Sequence, residues 1–222
     1  MVSIAAKPAL RAPIGNNKQL SEAVADAIIN AIAEGVLQPG ERLIEEVIAA
    51  ELSVSRVPLR EAIRTLEAQG IVVVTLNRGA RIVSMDENTT SNVQEARIAL
   101  ETIAARGAMN AIARDLRLAS GMHDVVEAMR SAKRRSDWEA LRRSDIQFHR
   151  ELCIASGNEV VLKLWEALSR HITIIFGREI QREHNFDVVI AEHERLIELL
   201  ADGAPDIGIH LKAHILRLSD GS

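Results

Sequence analysis

Residues 53–70, SVSRVPLREAIRTLEAQG, set Arg56, Arg60 and Arg64 at intervals of four. Residues four apart stack along one side of a helix, so this spacing makes a basic stripe. Guanidinium groups in such a stripe can clamp phosphate or fork onto guanine O6 and N7. Leu59, Ile63 and Leu66 fall on another side and would seat the helix on a core. Charge alone favours an ordinary solvated face; only the surrounding elements can turn the stripe into a reader of DNA. A second constellation lies further along. LRRSDIQFHREL puts Asp145 and His149 four apart on a face that includes Leu141, Phe148 and Leu152. VIAEHERLIELL sets His193 amid Val189, Leu196, Ile197 and Leu200. IGIHLKAHILRL has the stripe Ile207, Leu211, Ile215 and Leu218, with His214 near its centre and His210 toward its edge. A buried carboxylate needs a positive partner and a buried imidazole needs hydrogen bonds. One Asp and three His on inward faces would satisfy each other around a divalent metal, zinc or nickel foremost. Any one of these histidines alone is more simply a satisfied core residue. Arg97, in EARIALE, shares a stripe with Val93, Leu100 and Ala104. It either pairs with Glu101 one turn on or anchors a carboxylate ligand.

The elements that must position these residues follow from periodicity and turn chemistry. Helices are expected over 19–35, 45–52 and 55–69, with Pro39-Gly40 as a turn and Gly35 and Gly70 as stops. IVVVTLNRGARIVSM then reads as a β-hairpin whose turn holds Arg78 and Gly79. Helix, turn, longer helix and hairpin is the order of a winged helix-turn-helix, whose second motif helix enters the major groove by its N-terminal end. Ser55, Arg56, Val57 and Arg60 occupy that end, with Ser55 as the expected cap. Arg78 at the wing tip would reach a minor groove or backbone, and Gly79 permits close approach. From Glu87 onward only helical periodicity remains, over 89–113, 115–134, 137–155, 159–180, 187–202 and 205–219, with Pro205 in a first turn. The expected architecture is therefore mainly α. A flexible N-terminal arm (1–18) leads to a winged helix-turn-helix with a small β-hairpin wing (19–84). An all-helical bundle (85–222) follows.

The run GERLIEEVIAAELSVSRVPLREAIRTLEAQGIVVVTLNRGARIV resembles the DNA-binding domain of GntR-type bacterial transcription regulators, in its PGxRL turn, its VSRxPVREAL-like helix and its NRGxxV wing. The resemblance implies operator contacts from Arg42, Ser55, Arg56 and Arg60, and from the wing at Arg78 and Gly79. Two departures stand out. Ser53 occupies a turn position where the family usually has Gly. Glu45 and Glu46 occupy a region of the short helix where some members are basic. The stretches EARIALE, DIQFHRELCIASGN, EHERLIELL and LKAHI resemble the all-helical FCD effector domain of the FadR-type branch. Many members hold a metal with one Asp and three His, which implies Asp145, His149, His193 and His214 as ligands. The last interval is about one residue short, which leaves His210 as a lesser candidate. The same resemblance implies a small organic acid as effector and a homodimer as the working form.

Composition bounds the alternatives. A chain of 222 residues with 47% hydrophobic and 26% charged residues is a packed protein of one or two domains. Two Trp, three Phe and no Tyr leave the core to aliphatic residues, with Trp138 and Trp165 expected in a core or interface. The net charge of −4 is unevenly spread: residues 53–81 hold five Arg against two Glu, and residues 85–222 hold 18 Lys/Arg against 22 Asp/Glu. A basic patch on an acidic body suits a sequence-specific reader of double-stranded operator DNA. Cys153 is the single cysteine, the start lacks a signal pattern and no apolar run approaches membrane-span length, so a cytoplasmic protein is expected. A ligand-responsive DNA-binding regulator, more simply a repressor, accounts for both constellations. A metal-dependent enzyme is the alternative, but no nucleophile or general base stands at a motif spacing, and the winged helix would have no use.

Overall fold

Asn16 opens the first helix. Its side chain accepts from the Gln19 amide at 3.0 Å, and Gln19 Oε1 accepts from the Asn16 amide at 3.1 Å. This reciprocal cap satisfies amides the helix cannot, and it starts α1 (Asn17–Ala33) inside the stretch expected as a flexible arm. The computed structural model describes residues 16–76, 78–180 and 185–220, except for the side chains of 178–180 and 217–220. The rest of the expected arm, residues 1–15, lies outside the described residues. The chain divides into two compact units between Asp86 and Glu87.

In the first unit, α1 is followed by β1 (Arg42–Leu43), α2 (Glu45–Glu51), α3 (Arg56–Ala68), β2 (Val72–Thr75) and β3 (Gly79–Ile82). The sheet is antiparallel in the order β1-β3-β2. The sequence predicts only the hairpin. The extra strand is two residues long, too short to show alternation, and it exists because β3 offers a free edge to Arg42 and Leu43. Helix α1 buries Val24, Ile28 and Ile32 against α3, which returns Leu59, Ile63 and Leu66. The apolar side of α3 is thus committed to the core, and its arginines are left outward.

The turn between α2 and α3 keeps its left-handed residue without glycine: Ser53 sits at φ 53°. A Cβ in that region costs about 1–2 kcal/mol. The departure from Gly therefore leaves the turn geometry intact at a local cost. Ser55 stands at the N-cap of α3 in extended backbone, but its side chain makes no capping hydrogen bond, contrary to the capping role expected for it.

The second unit holds α4 (Glu87–Ile112), α5 (Ser120–Arg134), α6 (Trp138–Ala155), α7 (Glu159–Ile180), α8 (Phe186–Ala201) and α9 (Ile207–Asp220). Helix α4 packs against α6, α7, α8 and α9, while α5 packs on α6 and α8. Two starts differ from expectation. A 3-10 turn, Leu116–Ala119, capped by Asp115, precedes α5. Helix α9 begins at Ile207, leaving Pro205 in the preceding turn. Asn185 caps α8 by accepting from the Asp187 amide at 2.9 Å. Trp165 is core at 1% exposure, whereas Trp138 is part-exposed and stacks on Phe186 at 3.8 Å between ring centroids. No helix among the described residues is long and apolar enough to cross a membrane.

Candidate nucleic-acid interface and metal centre

The two arginines of the expected recognition helix are open to a docking duplex. The side chains of Arg56 and Arg60 are 65% and 60% exposed, and Val57 and Arg78 are exposed beside them in sequence and at the wing turn. Arg42 enters from β1. Its guanidinium lies over Gly79, where a Cβ would meet Arg42 Nε at 3.2 Å and Nη2 at 3.3 Å. Gly79 itself sits at φ 77°. The glycine thus serves two local needs, the left-handed turn into β3 and the bare shelf that Arg42 occupies. Arg56 and Arg60 are not bare: Arg60 Nε donates to Glu45 Oε2 at 2.9 Å, and Arg56 Nη2 lies 3.4 Å from Glu46 Oε1. The exposed face therefore carries both signs.

In the helical unit, four side chains from three helices converge. Asp145 and His149 come from α6, His193 from α8 and His214 from α9, and one ligand atom of each lies within 4.8 Å of all the others. The first three are fully buried and His214 is 5% exposed. Helix α6 supplies two of them because positions four apart share its inward face. His210, the lesser candidate, stands outside this cluster: its side chain is 42% exposed and pairs with Asp206.

The rings are oriented from behind. His149 Nδ1 lies 2.7 Å from Glu101 Oε2, His193 Nδ1 is 2.7 Å from the Val189 carbonyl, and His214 Nδ1 lies 3.3 Å from Glu192 Oε2. His193 Nδ1 makes a hydrogen bond of its contact, and the carboxylates close to the other two Nδ1 atoms favour the ring proton on that side, which leaves each Nε2 with its lone pair. Those three Nε2 atoms face inward. His149 Nε2 and His214 Nε2 are 3.2 Å apart, and His193 Nε2 is 3.2 Å from Asp145 Oδ1. Three lone pairs and a carboxylate pointed at one another repel unless a cation lies between them.

The titration behaviour agrees. Burial pushes His214 down to about 4, against the opposing pull of Glu192, and burial likewise lowers His149. Both are therefore neutral near pH 7, so a shared ring proton does not relieve the crowding. Burial raises the Asp145 carboxyl, but its polar neighbours, the Arg97 guanidinium among them, hold the group below the usual carboxylate range. Both Asp145 oxygens and His193 Nε2 are buried without a hydrogen-bond partner. Buried polar atoms are nearly always satisfied, so these orphans fit a divalent cation. Metal bonds of about 2.0–2.2 Å place two ligands of one ion no more than ~4.4 Å apart, and the four atoms need only a small closure to reach that.

Arg97 is 5% exposed, and its Nε donates to Glu101 Oε1 at 2.8 Å, the pairing one turn on. It also lines a cavity of about 10 Å³, room for one water, walled by Val93, Gln94, Ile172, Ile175, Phe176 and Ile215. Glu101 is the residue that sequence reasoning undervalued. It is wholly buried and also accepts from Trp165 Nε1 at 2.8 Å, so one carboxylate ties Arg97, Trp165 and His149 together. Burial raises its carboxyl, but Arg97 and His149 more than offset that and keep it ionised. Its sequence signal was present in the inward stripe of α4. Arg-x-x-x-Glu also describes a surface pair, and only packing distinguishes the two. Glu192 next to His193 carried no signal of its own.

Residues 92–217 match the FCD domain, and residues 20–82 match the description "Bacterial regulatory proteins, gntR family". The Nta operon transcriptional regulator of Aminobacter aminovorans is 33% identical, covering 82% of this chain and 85% of that protein. A protein of Paenarthrobacter nicotinovorans named "Probable D-xylose utilization operon transcriptional repressor" is 29% identical over 86% of this chain and 83% of its own length. Among solved structures, McbR/YncC of E. coli superposes with a TM-score of 0.74 at 20% identity, covering 89% of this chain and 93% of that one, which is a likeness of fold.

Proposed function

Because the chain belongs to the gntR family of bacterial regulatory proteins and carries an FCD domain, and is therefore a DNA-binding transcriptional regulator and not an enzyme, we propose that it is a metal-holding, effector-responsive repressor. Asp145, His149, His193 and His214 would hold the divalent ion, zinc or nickel by the preference of imidazole-rich donor sets. The observation that carries this is the inward convergence of three imidazole Nε2 atoms on a buried carboxylate, with each Nδ1 held from behind. When bound, the ion supplies a positive centre that favours an anionic ligand. Arg97 would contribute the second positive group for a small carboxylate. The repressor name of the Paenarthrobacter nicotinovorans relative supports repression over activation.

Operator contacts are assigned to Arg42, Ser55, Arg56, Val57, Arg60, Arg78 and Gly79. Arg56 and Arg60 would enter the major groove and Arg78 would work from the wing. A homodimer would set two such readers on two half-sites. The cytoplasm, where the chromosome lies, is the expected compartment. Effector and operator binding would be linked reciprocally, each changing the other's affinity by the same factor.

Two measurements test this reading. Purified protein should carry close to one divalent ion per chain, and His193→Ala should lose it. The duplex that the wild-type protein selects from a random pool should bind Arg56→Ala and Arg60→Ala more weakly, by about 1–3 kcal/mol for each lost base contact. Full metal content in the His193 variant, or undiminished binding by both arginine variants, would refute the corresponding assignment.

A further inference from the structure

The two carboxylates that open α2 reach the arginines of α3. Arg60 Nε donates to Glu45 Oε2 at 2.9 Å, and Arg56 Nη2 lies 3.4 Å from Glu46 Oε1. Arg64 behaves differently, because its partner is Glu61 of its own helix at 2.7 Å. Glu45 is the more enclosed of the α2 pair, with its side chain 37% exposed against 75% for Glu46. A guanidinium has five N–H donors, and the contact with Glu45 uses the inner one, Nε. Glu45 makes its hydrogen bond to Nε alone, so the Nη1/Nη2 end of the group remains to fork onto O6 and N7 of guanine.

We propose that Glu45 is a specificity-determining residue of the DNA interface, pinning Arg60 for base reading and keeping it from serving as a phosphate clamp. The proposal rests on the reading of Arg60 as a DNA-contacting residue. Non-specific binding comes almost wholly from phosphate neutralisation, while discrimination comes from base edges. A carboxylate beside the arginine weakens every complex by repelling phosphate within a Debye length. Only the correct sequence returns that loss, through a base contact made by a side chain already held in place. Glu45 therefore widens the gap between right and wrong DNA, chiefly by weakening the wrong complexes.

An ordinary role competes with this one. Acidic residues in a first turn favour the helix by interacting with its dipole, and Glu45 and Glu46 both lie in the first turn of α2. Two full-chain variants separate the roles. Glu45→Gln removes the charge and keeps the length. Glu45→Asp keeps the first-turn charge but is one methylene too short to hold Arg60 at the same place. The probes are the duplex that wild-type protein selects from a random pool and a scrambled duplex of equal composition, titrated over a series of KCl concentrations.

Glu45→Gln should bind the scrambled duplex several-fold more tightly. Its slope of log K against log salt should steepen by about 0.9, one more phosphate neutralised. Its preference for the selected duplex should fall about tenfold, within what one arginine–guanine pair supplies. Glu45→Asp should leave scrambled binding near wild type and lose affinity for the selected duplex. The proposal is overturned if Glu45→Gln keeps the wild-type preference within twofold, or if Glu45→Asp is wild-type on both duplexes, which would leave only the dipole role. If wild-type protein selects no duplex, the reading of Arg60 fails and this inference with it; selection without a change in the variants sinks the inference alone.

Discussion

Replacing Glu101 by Gln tests the logic of the buried site most directly. The wild-type carboxylate is 0% exposed and takes Arg97 Nε and Trp165 Nε1 on Oε1, both at 2.8 Å, with His149 Nδ1 2.7 Å from Oε2. Glutamine keeps one oxygen, so it cannot accept on both sides, and its NH2 must face either the Arg97–Trp165 pair or the His149 proton. Removing one partner of a buried ion pair costs about 3–5 kcal/mol because a charge is left behind. The Asp145 carboxylate also acts on this cluster of charges, being itself stabilised by Arg97, which points to the lower end, roughly 3 kcal/mol. Equilibrium urea unfolding of metal-free protein reads that loss. Metal affinity should fall separately, by about 10–100-fold, the usual cost of losing the group that orients a ligating imidazole; competition against a chelating dye measures it. The double variant Arg97→Leu/Glu101→Leu removes both charges but leaves the Trp165 and His149 donors without an acceptor. It should recover part of the stability and none of the metal affinity. A Glu101→Gln protein that unfolds at the wild-type midpoint and holds metal as tightly would refute the whole account of this cluster.

Further outcomes follow from the same geometry. Ser53→Gly should stabilise the winged-helix unit by roughly 0.5–1 kcal/mol, read as a higher urea midpoint, because glycine relieves the left-handed strain at φ 53° but costs unfolded-chain entropy. Gly79→Ala should destabilise the same unit by about 1 kcal/mol and weaken DNA binding, since its Cβ would sit 3.2 Å from Arg42 Nε at a φ of 77°; unfolding and DNA titration check the two effects. Metal-free protein should lose stability as pH falls. The unfolded His214 takes up a proton near pH 6.5 while the folded one resists until about 4, so the unfolded state binds more protons in that window. Stability is then full above about 6.5, declines through the window by roughly 3 kcal/mol for this residue and levels off below it. Urea midpoints at pH 7.5, 6 and 5 measure the trend, and a flat series would contradict it.

The fold was largely legible because its signals are local. The 3.6-residue stripes of α1, α3, α6, α8 and α9 and the glycine after α3 sit within a few residues of what they govern. The inward placement of Asp145, His149, His193 and His214 was legible for the same reason, since each side chain shares a stripe with leucines and isoleucines of its own helix. Misreadings arose where a partner lay elsewhere in the chain or where a cap worked against periodicity. Strand β1 exists only through pairing with β3, and α1 begins early because Asn16 and Gln19 cap each other.

By itself the sequence determined which residues lie on which face of which element, because helical and strand periods project side chains in fixed directions. It also determined the winged-helix order and the basic stripe on α3. Tertiary structure alone decided which faces meet. His149 and His214 stand 65 residues apart and touch at 3.2 Å, Glu101 became an interior link instead of a surface pair, and Glu45 came to rest on Arg60. Contacts of that kind depend on the angles at which whole helices pack, and no window of sequence contains those angles.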